Sequence, residues 1–131
     1  IIKDLHLEKH VKLLGYEADI GSIYNSMDIF VFPTVWNLEG FGLVVIEAMA
    51  HKVPVVASDI GPVPYIMEHQ KTGFLVPPKN ETKLVEAIIR LAKDASLRNQ
   101  MGEKGYDRVR QLYNLERVSA SYLDILRKNI I

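Results

Sequence analysis

Residues 29–57 read IFVFPTVWNLEGFGLVVIEAMAHKVPVVA. Ile29-Phe30-Val31-Phe32 is a continuous apolar run of strand length, and Pro33 stops it. Continuous rather than alternating apolarity predicts burial on both faces, as in a parallel sheet. A loop from Thr34 to Gly42 follows. Residues 43–51 then read as a helix in which Glu47 is the only acid. Val53-Pro54-Val55-Val56-Ala57 is the next strand, and Pro54 is tolerable near its start. Strand, helix and strand with short connections make a βαβ unit.

The same alternation extends outward in both directions. Upstream, residues 1–10 read as the end of a helix with Ile1, Ile2 and Leu5 on one side. Val11-Lys12-Leu13-Leu14 reads as a short strand stopped by Gly15. Ile20, Ile23, Tyr24 and Met27 fall at i, i+3, i+4 and i+7, which predicts an amphipathic helix over 19–27. Downstream, Ser58-Asp59-Ile60-Gly61-Pro62 is a turn, and a short helix occupies 63–69. Lys71-Thr72-Gly73 leads into the strand Phe74-Leu75-Val76, closed by Pro77-Pro78. Asn80 is a good N-cap for a helix carrying Leu84, Val85, Ile88, Leu91 and Ala92. Another helix spans 96–113. Asn114 can cap a last one, with Val118, Tyr122, Ile125 and Leu126 in one stripe. The fold class is therefore α/β, with an open parallel sheet and flanking helices. The all-helical last third must pack back on that sheet or on something outside the chain.

The 131 residues fit a single domain over 1–131. Sixteen basic and sixteen acidic residues give zero formal charge, which argues against a nucleic-acid partner and its many phosphate contacts. A 48% hydrophobic and 24% charged composition excludes disorder. With no Cys, disulfides, Cys-based zinc sites and thiol nucleophiles are excluded. His6 and His10 have helical metal-pair spacing, but nothing completes a site, so they read as a solvated helix face and no metal site is assigned. No apolar stretch approaches the roughly 20 residues of a spanning helix. Ile1-Ile2-Lys3-Asp4 has neither initiator Met nor leader pattern, so the chain is expected to be a piece of a longer parent.

In open α/β sheets ligands bind beyond the carboxyl ends of the strands. Three segments have that address: 15–19, 33–43 and 58–64. The middle one is the richest. Glu47 must face solvent, pair, or bind a ligand. As an acceptor with two oxygens it suits the adjacent hydroxyls of a ribose. Taken alone, it could equally lie on an exposed stripe. Glu39 sits in the loop just before the helix. Gly40 and Gly42 flank Phe41 and permit unusual dihedrals and close backbone approach. The amides of Phe41, Gly42, Leu43 and Val44 are the donors left open at a helix start, where phosphate or sugar hydroxyls can bind.

The combination carries a resemblance. Glu39 and Glu47, in the form E-G-F-G-L-V-V-I-E-A-M-A, resemble the E-x7-E signature of retaining glycosyltransferases of the group-1 (family 4) class, which have the two-domain GT-B fold. Leu13-Leu14-Gly15-Tyr16, Met27-Asp28-Ile29-Phe30-Val31-Phe32-Pro33-Thr34, Pro54-Val55-Val56-Ala57-Ser58 and Thr72-Gly73-Phe74-Leu75-Val76 resemble further ordered motifs of that class, as do the closing helices. The resemblance implies a Rossmann-like, partial C-terminal donor domain. It also implies that Glu47 binds the ribose diol of a nucleotide sugar and that Glu39, the catalytic candidate, contacts the donor sugar. Gly40, Phe41, Gly42, Leu43 and Val44 would lie against the sugar and diphosphate. Gly15 and Tyr16 would border the base, and Thr34 would cap or stiffen the loop. No metal and no cofactor is implied, the nucleotide-diphosphate sugar being the donor substrate. The acceptor, a saccharide or a lipid-linked one, would need an absent N-terminal domain. The first two strands of that domain, with the usual Arg and Lys, are also expected to be absent; in the order of the sheet they would lie between 11–14 and 29–32. The chain alone should then be inactive, and its uncovered edges favour self-association. The implied location is cytoplasmic, with a membrane-peripheral parent as the variant.

Two positions depart from the class pattern. Lys52 stands where Gly is common after the helix, so either it carries strain or the helix ends differently. Tyr65 replaces a usual Glu. Rival readings are a non-catalytic nucleotide-sugar-binding module, a plain structural α/β module, and a GT-B epimerase or phosphorylase. The last two enzymes need acids, histidines or a lysine-linked cofactor site that the sequence does not display. A receiver-like signalling domain is rejected, because no acidic pair opens the chain and Asp28 precedes its strand.

Overall fold

A computed structural model describes residues 1–36 and 40–129. Three parallel strands, β1 (Phe30–Phe32), β2 (Val55–Ser58) and β3 (Gly73–Val76), form one sheet in the order β1-β2-β3. The register sets Phe30 opposite Val55 and Val55 opposite Gly73. Six helices accompany them: α1 (Ile20–Asn25), α2 (Leu43–Ala50), α3 (Val63–Ile66), α4 (Glu81–Lys93), α5 (Ala95–Leu112) and α6 (Leu115–Asn129).

The pleat of β2 divides the core. Val55 and Ala57 face one side, where Tyr24, Val45, Ala48, Met49, Val63 and Ile66 pack on them. Val56 faces the other and joins Phe74, Val76, Ala87, Leu91 and Met101. The burial on both faces expected for 29–32 holds only in part, β1 being half-buried, whereas β2, between two neighbouring strands, is buried throughout.

Side-chain caps fix the helix starts. Asn80 accepts from the Lys83 amide at 3.0 Å, as expected, and Asp94 accepts from Leu97 at 2.8 Å. Arg98 donates to the Leu91 and Ala92 carbonyls and so closes the end of α4. Arg108, on α5, donates to the carbonyls of Ile66 (2.7 Å) and Tyr65 (3.0 Å) and pairs with Glu68. Two backbone carbonyls and an acid thus tie α5 to the end of α3. α5 also crosses the end of α2 so closely that a Cβ on Gly102 would stand 2.0 Å from the Lys52 carbonyl oxygen. Lys52 itself takes φ +59, the left-handed position usually left to glycine, so of the two alternatives it is the strained one.

Two expectations fail at the N-terminus. Residues 1–10 form successive turns rather than a helix: His6 has φ +55, and Leu5 lies mostly exposed. His6 and His10 are exposed, but not on a helix face. Val11-Lys12-Leu13-Leu14 is not a strand. A strand needs a neighbour to receive its amides and carbonyls, and the sheet ends at β1; Leu13 is 81% exposed. At the other end the last helix forms, with the Arg117 amide bonded to Asn114 at 2.7 Å, but Leu115, Val118, Tyr122 and Leu126 lie exposed. The last third packs back on the sheet through α4 and α5.

Candidate functional site

α2 starts at the carboxyl end of β1, and its first residues are set by Gly42. Gly42 caps the helix at φ +74, and its Cα packs so closely on Ile66 that a Cβ would meet Cδ1 at 3.2 Å. The positive φ favours glycine there, and a Cβ would also make the Ile66 side chain give by a few tenths of an ångström. Gly40 has open space around it among the described residues, so a conformational need for glycine is seen at Gly42. No side chain caps α2. The Val45 amide turns back to the Gly42 carbonyl at 2.9 Å, and the Leu43 and Val44 amides have no acceptor among the described residues. Phe41, Leu43 and Val44 are exposed around them.

Glu47 lies one turn further on, exposed, on the same side of α2 as Leu43 and Val44. Its Oε2 accepts a hydrogen bond from the Tyr24 hydroxyl at 2.9 Å. Tyr24 comes from α1 and is only 4% exposed. Its ring meets Phe30 edge-on at 5.9 Å and stacks on His51 at 5.4 Å. The His51 Nδ1 in turn lies 2.8 Å from the Asn25 amide oxygen. Burial, followed by the hydrogen bond to Glu47 and its negative charge, pushes the Tyr24 phenol up to about 12.

That shift makes a prediction. The folded phenol keeps its proton above the value near 10 of a free tyrosine. Its stabilising share is therefore complete below pH 10 and is lost as pH rises through about 12. At roughly 1.4 kcal/mol per pKa unit the share is on the order of 2 kcal/mol. Urea midpoints measured from pH 9 upward should fall more steeply in the unaltered chain than in Tyr24→Phe.

The other sequence candidates are dispersed. Thr34 Oγ1 accepts from the Trp36 amide at 3.3 Å, a local turn within the loop. Gly15 takes φ +73 and Tyr16 is 93% exposed; no hydrogen bond or ring contact joins them to α2 among the described residues. Glu39, the catalytic candidate, lies outside the described residues. A cavity of about 280 Å³ opens at the same end of the sheet but on its α4 side, lined by Pro33, Ser58, Val76, Pro77, Lys79 and Asn80. It shares no residue with the predicted set. At the start of α2, amides without an acceptor among the described residues lie one turn from a carboxylate that Tyr24 holds. Sequence reasoning missed Tyr24, which it placed only in an apolar stripe. The available signal was that a buried tyrosine hydroxyl needs a partner and that Glu47 lacked one.

Residues 1–108 match the family described as glycosyl transferases group 1. The chain belongs to this family. The chain is 30% identical over 131 residues to N-acetyl-alpha-D-glucosaminyl L-malate synthase of Bacillus anthracis, a match covering 97% of this chain and 34% of that protein. Its fold superposes on Anabaena Alr3699/HepE, crystallised with UDP, at TM-score 0.92 and 28% identity, over 97% of this chain and 35% of the other. It also matches the C-terminal domain of a group 1 glycosyl transferase (LpcC) of Francisella tularensis at TM-score 0.75 and 32% identity, over 87% of this chain and 59% of that one. The expected fold class holds: an open parallel sheet flanked by helices, as in GT-B glycosyltransferases. The chain spans about a third of the length of the curated relatives that it matches. No helix among the described residues is long and apolar enough to cross a membrane.

Proposed function

We propose that this chain is the donor-binding part of a retaining glycosyltransferase and takes a nucleoside-diphosphate sugar, with UDP as the nucleotide to try first. The observation that carries the reading is the pairing of an exposed carboxylate, Glu47, with the amides of Leu43 and Val44 one turn away on the same helix, which have no acceptor among the described residues. A nucleoside diphosphate offers a vicinal diol and an anion at comparable separation. The carboxylate suits the first, and the helix start suits the second. The likeness to a protein crystallised with UDP supports the choice of nucleotide.

In this reading the bond between the anomeric carbon and the β-phosphate oxygen breaks, and the acceptor hydroxyl, its proton passing to the departing diphosphate oxygen, forms the new bond on the same face of the sugar. The amides of Leu43 and Val44 stabilise charge building on the leaving diphosphate. Glu39 orients the sugar through its hydroxyls, with Gly40 and Phe41 beside it. Gly15 and Tyr16 border the base, and Thr34 stiffens the loop. The acceptor, a saccharide free or lipid-linked, is held by parts of the parent beyond these residues.

None of the residues assigned to the site is Arg or Lys. A helix start is worth about 0.3–2 kcal/mol toward an anion, so binding should be weak and the chain alone should not turn over. Titration with UDP and UDP-glucose, followed by amide resonances, tests this. Shifts at Gly42, Leu43, Val44 and Glu47 without sugar transfer are expected. Shifts confined to residues remote from α2 would sink the assignment.

A further inference from the structure

The ribose reading makes Glu47 the contact and leaves Tyr24 with no part to play. Yet the Tyr24 hydroxyl is the one group among the described residues that hydrogen-bonds the Glu47 carboxylate, and no cation pairs with it there. An exposed glutamate on a helix surface otherwise samples many rotamers, and ordering it on binding costs affinity. Tyr24 has no such freedom. Its ring is walled by Phe30 from β1 and by His51 from the end of α2, and Asn25 holds His51.

We propose that Tyr24 is a positioning residue for the nucleotide: by holding Oε2 of Glu47 it presents Oε1, already oriented, to the 2′,3′-diol of a bound nucleoside. The inference deepens the proposed function and rests on it. The chemistry is directional. A phenol that keeps its proton donates, and an ionised carboxylate only accepts. Each carboxylate oxygen has two lone pairs, so a bond from Tyr24 to Oε2 leaves Oε1 and part of Oε2 for the two hydroxyls. A purely structural tyrosine would need only some acceptor for its buried hydroxyl; the Val44 carbonyl, at 3.5 Å, is the other candidate and is the more distant.

The test is the diol preference, the ratio of the Kd for 2′,3′-dideoxy-UDP to the Kd for UDP, measured on this chain. Positioning acts only on the diol. Tyr24→Phe should therefore lower the ratio about three- to tenfold and leave the Kd for dideoxy-UDP unchanged. Loss of a merely structural hydroxyl would move both ligands together and keep the ratio. Glu47→Asp gives a second route at an exposed position. It keeps the charge but withdraws the carboxylate from Tyr24, and should lower the ratio as well. A ratio unchanged in Tyr24→Phe or in Glu47→Asp, while Glu47→Ala collapses it, overturns the positioning role and leaves Glu47 as the ribose contact. A ratio near one in the unaltered chain overturns the ribose reading, and the positioning role falls with it.

Discussion

Replacing Glu47 by alanine should weaken UDP binding by at least about thirtyfold. Hydrogen bonds to a charged acceptor are worth about 1.5–3 kcal/mol each. Glu47 would make two to a ribose, and part of that is returned because an exposed carboxylate is rehydrated when the ligand leaves. A net loss of roughly 2–3 kcal/mol remains. Since the unaltered chain is expected to bind weakly, the change should read as loss of saturable binding in an amide-resonance titration. Glu47→Gln keeps one acceptor oxygen and should fall between the two. Inorganic pyrophosphate is the control: it has no diol, and the substitution should leave its weak shifts at Leu43 and Val44 in place. If pyrophosphate and UDP respond alike, the carboxylate contributes only a field and the ribose assignment fails.

Gly102→Ala should cost about 3 kcal/mol of stability. Alanine normally improves a helix over glycine by about 1 kcal/mol, so the expected loss reverses the sign of propensity. The reason is the 2.0 Å approach of a Cβ to the Lys52 carbonyl oxygen, a backbone atom that no rotamer change can move aside. α5 would have to lift from the end of α2, and with it the packing of Met49 against Gly105. Gly105→Ala on the same helix meets Met49 at 3.4–3.7 Å, close to ordinary contact, and should be neutral or gain up to about 1 kcal/mol. Urea denaturation of the two variants separates these outcomes. Equal effects would mean that α5 does not sit on α2 as described, and the frame that fixes Glu47 would go with it.

Much of this was legible in the chain. β2 could be read from Val55-Val56-Ala57 because a central strand is buried on both faces. Asn80 and Asn114 could be read as caps because the cap is a local bond. What failed depends on partners. Val11-Lys12-Leu13-Leu14 has strand composition, but composition does not supply the neighbouring strand that pairing requires. Ile1, Ile2 and Leu5 have helical spacing, yet Ile1 and Leu5 lie exposed and Ile2 is only half-buried. The stripe of α6 was read correctly as a stripe, yet Tyr122 and Leu126 lie exposed. At the site, Glu47 stood out as an acid in an apolar helix. The sequence could not say that Gly42 takes positive φ, since that follows from how α2 meets Ile66. Tyr24 escaped because its hydroxyl finds Glu47 across 23 residues, a tertiary contact that no local pattern reports.

The central claim is that Glu47 and the start of α2 hold a nucleoside diphosphate between them. A crystal structure of this chain with UDP tests it most directly. The claim predicts the ribose hydroxyls within about 2.6–3.2 Å of the Glu47 carboxylate, with the diphosphate over the Leu43 and Val44 amides and Tyr24 still bonded to Oε2. UDP bound instead in the cavity of Ser58, Lys79 and Asn80, with Glu47 facing solvent, would contradict it.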